Sequence, residues 1–304
     1  MRYLISIDGG GTKTEGVCVN SLGSIVSRDV LGSSNPNDVG NQTAIDLING
    51  LVCSLLPKDA TEVWVAIGGS GMKTAGIEDQ IKQELLKTPC VKRVEVLTDV
   101  LTAYYSAYQD SGAILIIGTG CVGYVNDGAK EYFVGGGGHF IDRLCSGFDL
   151  GRGVINAVLE DQDGRGQPTI LSQLFVERVG GGAREHLKQV YAKGKSYVAS
   201  FAPLVFTAYE KNDKVASDVL CDCVQGLEKV LNAMYKIYGK ETLEVTVFGG
   251  LTKKLEVIES FLTEQTRNKV RLLRPNAPII FGGIKLLAKV DENFIKTFIQ
   301  DYYK

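Results

Sequence analysis

The sequence predicts an α/β fold of two lobes, each with a mixed β-sheet and helices. Three observations lead to this prediction. The chain has 304 residues, which is more than one hydrophobic core usually serves. Its N-terminal part shows three short strands followed by alternating strands and helices. A similar pattern starts again near residue 113. We therefore predict an N-terminal lobe at 1–112, a C-terminal lobe at 113–289, and a final helix at about 290–304.

The first lobe begins with an antiparallel meander. The apolar segment RYLISID predicts a strand, and the turn Gly9–Thr12 leads into a second strand rather than a helix. Further along, apolar residues at Val39, Ile48 and Leu55 follow helical spacing. The predicted strands are 2–8, 13–20, 24–31, 62–67 and 93–97, and the predicted helices are 39–56, 75–88 and one that starts near Asp99.

The second lobe starts with the same kind of pattern. The segments LISIDGGGTKTEGVCVN and AILIIGTGCVGYVN both contain an apolar strand, a Gly-Thr turn and a returning strand. This likeness suggests one plan for both lobes, although two hairpins can also look alike by chance. The predicted strands are 113–118, 121–126, 131–134 and 243–248; helices are predicted at 146–160, within 167–240, from Thr252, and twice within 279–304.

Composition excludes several classes of protein. Lys and Arg number 33 against 35 Asp and Glu, so no broad basic face for nucleic acid is expected. No apolar run of about 18 residues predicts a membrane span, and the N-terminus does not resemble a signal peptide. The seven cysteines are scattered without a C-x-x-C pattern and there are two histidines, which argues against a zinc site and indicates a reducing cytoplasm.

Glycine is the unusual component: it accounts for 36 of the 304 residues, well above the average usage of about 7%. The segment from Asp8 to Thr14 places three glycines and a hydroxyl at the end of a strand, where backbone N–H groups can approach an anion. A carboxylate at that position suits a Mg²⁺–water cluster. Gly118-Thr119-Gly120 repeats the turn, and Gly249-Gly250 follow a buried strand, where a flat ring could lie on the backbone. Taken singly, each of these sites could be an ordinary turn.

In this order, the three glycine sites resemble the sugar kinase and actin superfamily. Within it, the chain is similar to the branch that contains N-acetylglucosamine kinase and the BadF/BadG/BcrA/BcrD ATPases. The resemblance spans essentially the whole chain and rests on IDGGGTKT, GSSNPNDVG, AIGGSGM, LTDVLTAY, IIGTG, GGGGHFIDRLCSGFDLGRG, VFGGL and APIIFGG. It implies an actin-like, ribonuclease H-like ATPase fold with a duplicated mixed sheet and a cleft between the lobes. It also implies that the C-terminal helix packs back on the first lobe.

The resemblance implies ATP-dependent phosphoryl transfer to a hydroxyl of an amino sugar: N-acetylglucosamine first, or N-acetylmuramic acid or glucosamine. Asp99 would be the catalytic base, ATP and Mg²⁺ the cofactors, and Asp8 the metal contact. We further expect a homodimer, with no nucleic acid or membrane partner. The implied nucleotide-binding residues are Gly10, Gly11, Thr12, Lys13, Gly118, Thr119, Gly120, Gly249 and Gly250.

Four residues would meet the sugar by family analogy, each with a structural alternative. Asp99 could instead cap the helix that follows it, and Asn35 could serve the turn before Pro36. Ser70 could line the sugar pocket or only its own turn. Asp142 matches an acidic family residue, but many relatives have an acidic pair followed by Gly-Ser-Gly. This chain has Arg143-Leu-Cys-Ser146-Gly there, a departure that bears on the sugar contacts of the loop.

A second function within the same family is an ATPase that activates a partner enzyme by electron transfer. Such activators hold an iron–sulfur cluster between two subunits with a pair of cysteines from each. Cys121 and Cys145 are the pair that could be compared, and their surroundings do not resemble the cluster motif. A non-catalytic regulator is a third class, which the presence of Asp99 disfavours.

Overall fold

The computed structural model describes residues 1–304, which form two compact units. Unit 1 comprises Met1–Gln109 together with Pro275–Lys304, and unit 2 comprises Asp110–Arg274. Unit 2 is thus inserted in the sequence of unit 1. Each unit has its own hydrophobic core and its own five-stranded mixed sheet.

The first part of unit 1 contains the predicted meander and the alternating elements. Its strands are β1 (Arg2–Gly9), β2 (Thr14–Val19), β3 (Ile25–Leu31), β4 (Glu62–Gly69) and β5 (Val91–Leu97). Its helices are α1 (Pro36–Val39), α2 (Asn41–Leu55), α3 (Met72–Ala75), α4 (Glu78–Leu86) and α5 (Asp99–Ala107). The sheet order is β3-β2-β1-β4-β5; β1 is antiparallel to β2 and parallel to β4.

Unit 2 repeats this plan. Its strands are β6 (Gly112–Ile117), β7 (Cys121–Asn126), β8 (Glu131–Gly135), β9 (Leu243–Phe248) and β10 (Val270–Leu273). Its α-helices are α6 (Gly147–Gln162), α7 (Ile170–Val179), α8 (Ala183–Ala199), α9 (Ala202–Glu210), α10 (Lys214–Tyr238), α11 (Leu255–Ser260) and α12 (Glu264–Lys269). The sheet order β10-β9-β6-β7-β8 again joins an antiparallel meander to two parallel strands, which confirms the predicted duplicated mixed sheet.

The chain ends with α13 (Phe281–Leu287) and α14 (Glu292–Tyr302), which complete unit 1. Strand β1 is buried on both faces: Ile5 and Ile7 pack with α2, while Leu4 packs with Ile284 of α13 and Phe298 of α14. A strand covered on both faces has apolar residues at successive positions, and this explains the consecutive apolar residues in RYLISID.

Two sequence-based expectations differ from the structure. Residues 275–289 were placed in the second lobe, but they belong to unit 1 because α13 packs on β1, β4 and α5. The helix expected from Thr252 begins as a 3-10 helix at Gly250–Lys254. Strand β10 was not predicted, because its four residues directly follow α12 and are too few to show an alternating pattern.

Candidate active site

Asp8 lies near the carboxyl end of β1, the central strand of the unit 1 sheet. Burial, followed by the negative charges of Asp99 and Glu15, raises the pKa of Asp8 to about 7, and the positive charge of Lys13 acts in the opposite direction. A carboxyl group among other acids is short of positive charge, and a divalent cation would supply it. The donor chemistry at Asp8 therefore fits a metal ion that is also held by phosphate and water.

The turn after β1 presents exposed backbone and side-chain groups. The N–H of Gly10 donates to the carbonyl oxygen of Lys13 at 3.0 Å, and the hydroxyl of Ser33 donates to the carbonyl oxygen of Gly10 at 3.3 Å. These bonds hold the turn, while Gly11, Thr12 and Lys13 are exposed to solvent. The turn can therefore offer N–H groups, a hydroxyl and an ammonium group to an anion.

Asn35 is buried and caps helix α1, so the turn role considered for it holds. Its Oδ1 accepts a hydrogen bond from the N–H of Asn37 at 3.0 Å. Its Nδ2 has no hydrogen-bond partner within the chain and faces the exposed turn, 3.9 Å from the point where a Cβ on Gly11 would lie. The amide of Asn35 therefore retains a donor that a substrate hydroxyl could use.

Ser70 connects the turn after β4 to the first glycine turn and to Asp99. Its N–H donates to the carbonyl oxygen of Gly9 at 2.8 Å, and its hydroxyl lies beside the carboxylate of Asp99. Asp99 also accepts from the N–H of Val100 at 3.0 Å. Burial raises the pKa of Asp99, and the hydrogen bonds offset part of that rise. The carboxylate is thus held in one orientation and binds a proton more readily than an exposed aspartate does.

Helix α5 is capped by Thr98 and not by Asp99. The Oγ1 of Thr98 accepts from the N–H of Leu101 at 3.2 Å, and Asp99 occupies the first helical position. The interpretation of Asp99 as the N-cap was therefore wrong. Because Thr98 is the N-cap, Asp99 bonds to the first turn through the N–H of Val100, and its carboxylate keeps further acceptor capacity.

The second glycine turn, between β6 and β7, is held by the first amides of α6. The N–H of Gly118 donates to the carbonyl oxygen of Gly120 at 2.9 Å. From the other side, Gly147 donates to the carbonyl oxygen of Gly118 at 2.7 Å, and Phe148 donates to that of Thr119 at 3.2 Å. A Cβ on Gly118 or Gly120 would meet no atom within 4 Å. The turn is therefore fixed in position but uncovered.

The third glycine site lies beside the second one in unit 2. Gly249 follows β9 with φ of 99°, and a Cβ there would lie 2.6 Å from the carbonyl carbon of Ile117 and 3.1 Å from the nitrogen of Gly118. That conformation and that close approach both require glycine. Gly250 starts the 3-10 helix with open space beyond its Cα. The structure thus brings the two glycine sites of unit 2 together.

Sequence reasoning missed the group that holds α6 against the second glycine turn. Ser146 and Asp149 form a reciprocal capping box, in which each side chain accepts from the backbone N–H of the other at 3.1 Å. Asp149 also accepts from the N–H of Leu144 and pairs with Arg152, both at 3.1 Å. The pattern Ser146-x-x-Asp149 was the available signal, because this spacing defines a capping box.

Asp142 stabilises its own loop in unit 2, whereas the other three predicted substrate residues belong to unit 1. Its Oδ2 accepts from the N–H of Gly137 at 2.5 Å, and its N–H donates to the carbonyl oxygen of Gly138 at 2.9 Å. The next residue, Arg143, packs its backbone against Gly226 of α10, where a Cβ would lie 3.0 Å from the carbonyl carbon of Arg143. One carboxylate oxygen of Asp142 is therefore used by the loop, and Oδ1 is left.

The cysteines compared with those of iron–sulfur activators are buried in the core of unit 2. Burial raises the pKa of Cys121 to about 12 and that of Cys145 well above its ordinary value. Cluster ligands are thiolates, and a cluster shared by two subunits needs them at a surface. The burial of the Cys121 and Cys145 thiols therefore does not favour a role as ligands of an iron–sulfur cluster shared by two subunits.

The chain has neither a preformed metal cluster nor a membrane-spanning helix. No group of three or more His, Cys, Asp and Glu side chains lies close enough to hold a metal ion. None of the helices combines the length and the apolar character that a membrane-spanning helix requires.

Comparison with known proteins places this geometry in a family. The family model described as the BadF/BadG/BcrA/BcrD ATPase family matches residues 5–279, which is most of the chain. The chain belongs to the BadF/BadG/BcrA/BcrD ATPase family. All three glycine sites and every predicted substrate residue lie within the part that matches this family.

Characterised and structural relatives are also similar over almost their full length. The chain is 27% identical over 303 residues to the N-acetyl-D-glucosamine kinase of Dictyostelium discoideum, covering 92% of this chain and 93% of that one. It is 27% identical over 292 residues to the N-acetylmuramic acid/N-acetylglucosamine kinase of Clostridium acetobutylicum, covering 92% and 94%. A crystal structure from Chromobacterium violaceum, provisionally described as an N-acetylglucosamine kinase, superposes with a TM-score of 0.76 at 24% identity, covering 95% and 99%. The structural likeness confirms the predicted fold.

The raised pKa of Asp8 predicts that Asp8→Asn stabilises the protein at pH 8 in EDTA. In the unfolded chain Asp8 ionises near 3.8, and in the folded protein near 7. Between these pH values Asp8 is ionised in the unfolded chain and still protonated in the folded protein. The free energy of unfolding therefore falls as pH rises, and the full loss of stability is reached above pH 7. We expect the variant to melt about 2–4 °C above the wild type at pH 8, and much closer to it at pH 4.5.

Differential scanning fluorimetry at both pH values measures this difference. Asp46→Asn, at an exposed position of α2, is the control and should leave the melting temperature unchanged at each pH. If Asp8→Asn raised the melting temperature equally at both pH values, the stabilisation would not come from the ionisation of Asp8.

Proposed function

We propose that this protein is an ATP-dependent kinase that transfers the γ-phosphoryl group to a hydroxyl of an amino sugar, with N-acetylglucosamine as the first candidate and N-acetylmuramic acid and glucosamine next. The observation that carries the proposal is the placement of Asp99. Its carboxylate lies beside the hydroxyl of Ser70, the N–H of Ser70 donates to the carbonyl oxygen of Gly9 at the first glycine turn, and the charge of Asp99 acts on Asp8. The kinase names of the relatives support the same reaction.

The glycine sites would hold the nucleotide. Gly10, Gly11, Thr12 and Lys13 would contact phosphate in unit 1; in unit 2, Gly118–Gly120 would contact phosphate and Gly249–Gly250 would take the adenine ring. The open space beyond Gly118, Gly120 and Gly250 fits these roles, because a planar ring or a phosphate can reach bare backbone there. Asp8 would hold Mg²⁺ through water, and the ion would neutralise charge on the phosphate oxygens.

Asp99 would act as the general base. As the oxygen of the sugar hydroxyl forms a bond to the γ-phosphorus, the bond between that phosphorus and the ADP oxygen breaks, and the hydroxyl proton passes to Asp99. The products are ADP and a sugar phosphate. The hydrogen bond from the N–H of Val100 orients the carboxylate, and its raised pKa makes it a better proton acceptor.

Three other side chains would bind the sugar. Asn35 would donate from Nδ2, which has no partner within the chain, and Ser70 would contact a hydroxyl next to the one that reacts. Asp142 would accept from a sugar hydroxyl through Oδ1, because the hydrogen bond from Gly137 uses Oδ2. These roles are specific for hydroxyl and amide groups, which is the chemistry of an amino sugar.

A coupled assay of ADP release over a panel of free sugars tests the proposal. We expect N-acetylglucosamine, N-acetylmuramic acid or glucosamine to raise the rate of ADP release well above that with ATP and no sugar. Glucose and mannose, which lack the nitrogen substituent, serve as controls. If no sugar raises the rate, the kinase proposal is wrong. The expected homodimer stays a prediction, which light scattering after size exclusion would check.

A further inference from the structure

Glu15 on β2 is a buried carboxylate with two basic partners. Its side chain is 3% exposed, and it lies directly opposite Asp8 in the β1–β2 ladder. One oxygen pairs with the ammonium group of Lys13 at 3.0 Å, and the other pairs with the guanidinium group of Arg28 at 2.6 Å. Burial alone would raise the pKa of Glu15, but Lys13 above all, and then the nearby hydroxyl of Tyr302 and the charge of Arg28, keep it below its ordinary value.

The two basic partners of Glu15 are held very differently. Arg28, on β3, is 40% exposed and has two further contacts with Tyr302 of α14. Its guanidinium group lies 4.3 Å from the centre of the Tyr302 ring and donates to the carbonyl oxygen of Tyr302 at 2.9 Å. Lys13 is 63% exposed and has Glu15 as its one ionic partner. Arg28 is therefore the fixed partner and Lys13 the one that can leave.

The position of Lys13 allows its ammonium group to move from Glu15 to a phosphate. Lys13 ends the first glycine turn, and its carbonyl oxygen closes that turn by accepting from Gly10. If its ammonium group moves to a phosphate, Glu15 loses one of its two counterions. A buried carboxylate with no counterion is costly, so the move is favourable only where another cation stays in place. Arg28 supplies that cation, and the hydroxyl of Tyr302 lies near Glu15.

We propose that Arg28 is a positioning residue: by neutralising Glu15 from β3, it leaves the ammonium group of Lys13 free to bind the phosphates of the nucleotide. The inference rests on the proposed use of ATP and adds residues that the sequence analysis did not single out, namely Glu15, Arg28 and Tyr302. It also gives the C-terminal helix α14 a part in nucleotide binding, through Tyr302.

Calorimetric titration with AMPPNP and Mg²⁺ tests this in a double-mutant cycle. Because hydrogen bonds to charged groups contribute about 1.5–3 kcal/mol, Lys13→Met should weaken AMPPNP binding about tenfold or more. Without Arg28, Lys13 is retained by Glu15, so Arg28→Met should weaken binding about three- to tenfold in the wild-type background. In the Lys13→Met background the same change should have an effect below about twofold, because coupled residues are not additive.

Three further variants separate positioning from a general loss of structure. Arg2→Met is the matched control: Arg2 lies on the same sheet, pairs with Glu62 at 3.1 Å and stacks 4.5 Å from the ring of Trp64, so it should keep wild-type affinity. Arg28→Lys, which retains the charge, should restore most of the affinity. Tyr302→Phe should weaken binding less than Arg28→Met does, because it removes the hydroxyl near Glu15 and leaves in place the ring that Arg28 stacks on. Melting temperatures of all variants show which of them are folded.

Two results would overturn the inference. One is AMPPNP affinity within twofold of wild type for folded Arg28→Met. The other is an equal loss in both backgrounds, which would mean that Arg28 acts on the phosphates without Lys13. The sugar panel is a separate measurement: if no sugar raises ADP release, the kinase proposal fails, while the affinities for AMPPNP still decide the role of Arg28.

Discussion

Asp99→Asn is expected to lower kcat by about 10²- to 10⁴-fold, the range that general base catalysis contributes. Asparagine keeps the shape of the side chain and can still accept a hydrogen bond from the N–H of Val100. It cannot accept the proton of the sugar hydroxyl. The loss should therefore appear in kcat, with a smaller change in KM for the sugar, and steady-state kinetics with the preferred sugar measures both.

The control for this variant is Asp79→Asn. Asp79 also lies in the first turn of a helix, α4, in the same unit, and it is exposed. It should keep wild-type kinetics. A kcat for Asp99→Asn within twofold of the wild type would remove Asp99 as the base, and the assignment of the reaction would then rest on the relatives.

Gly282→Ala is expected to destabilise the protein by about 3 kcal/mol or more, at the upper end of what overpacking costs. Gly282 lies in α13 where this helix crosses α5. A Cβ there would lie 2.8 Å from the backbone nitrogen of Ser106 and closer still to the carbonyl oxygen of Thr102. Both atoms are backbone, so the clash cannot be relieved by a change of rotamer. Alanine favours a helix over glycine by about 1 kcal/mol, which is too little to compensate.

Gly50→Ala is the matched control. Gly50 lies within α2, is exposed, and has nothing within 4 Å of the place where a Cβ would be. Here alanine should stabilise the protein by about 0.5–1 kcal/mol, since no clash opposes its helix propensity. Urea denaturation measures both changes. The same effect for the two substitutions would show that the approach of α13 to α5 is looser than this structure has it.

The glycines show how far sequence reasoning reached. The clusters at 9–11, 118–120 and 249–250 were interpreted as strand-end turns from local patterns, and the structure has them as such. Gly282-Gly283 end the segment APIIFGG, one of those on which the family resemblance rests, and they provide the close contact of α13 with α5 and β1. A glycine needed for helix packing looks the same in a sequence as one needed for a ligand, because the partner is distant in the chain.

The three consecutive glycines Gly180–Gly182 join two helices. Gly180 ends α7 in the left-handed conformation, with φ of 77°, and Gly182 is the N-cap of α8. Both features are local, and the C-cap preference of glycine was the signal that could have identified them. Glu15 is a different case: it stands among five other buried residues of β2, and its partners Arg28 and Tyr302 come from an edge strand and from the last helix. Such a cluster depends on tertiary packing and leaves no local pattern.

The insertion of unit 2 within unit 1 has a consequence for how the chain is made. Strands β1 to β5 leave the ribosome early, but α13 and α14, which cover Leu4, Val17 and Val19 on one face of their sheet, follow only after the whole of unit 2. At synthesis rates of about 5–20 residues per second, that delay is roughly ten to thirty seconds. During that time unit 2 is still being made, and the nascent N-terminal sheet has an apolar face open to water, where chaperones or other nascent chains can bind.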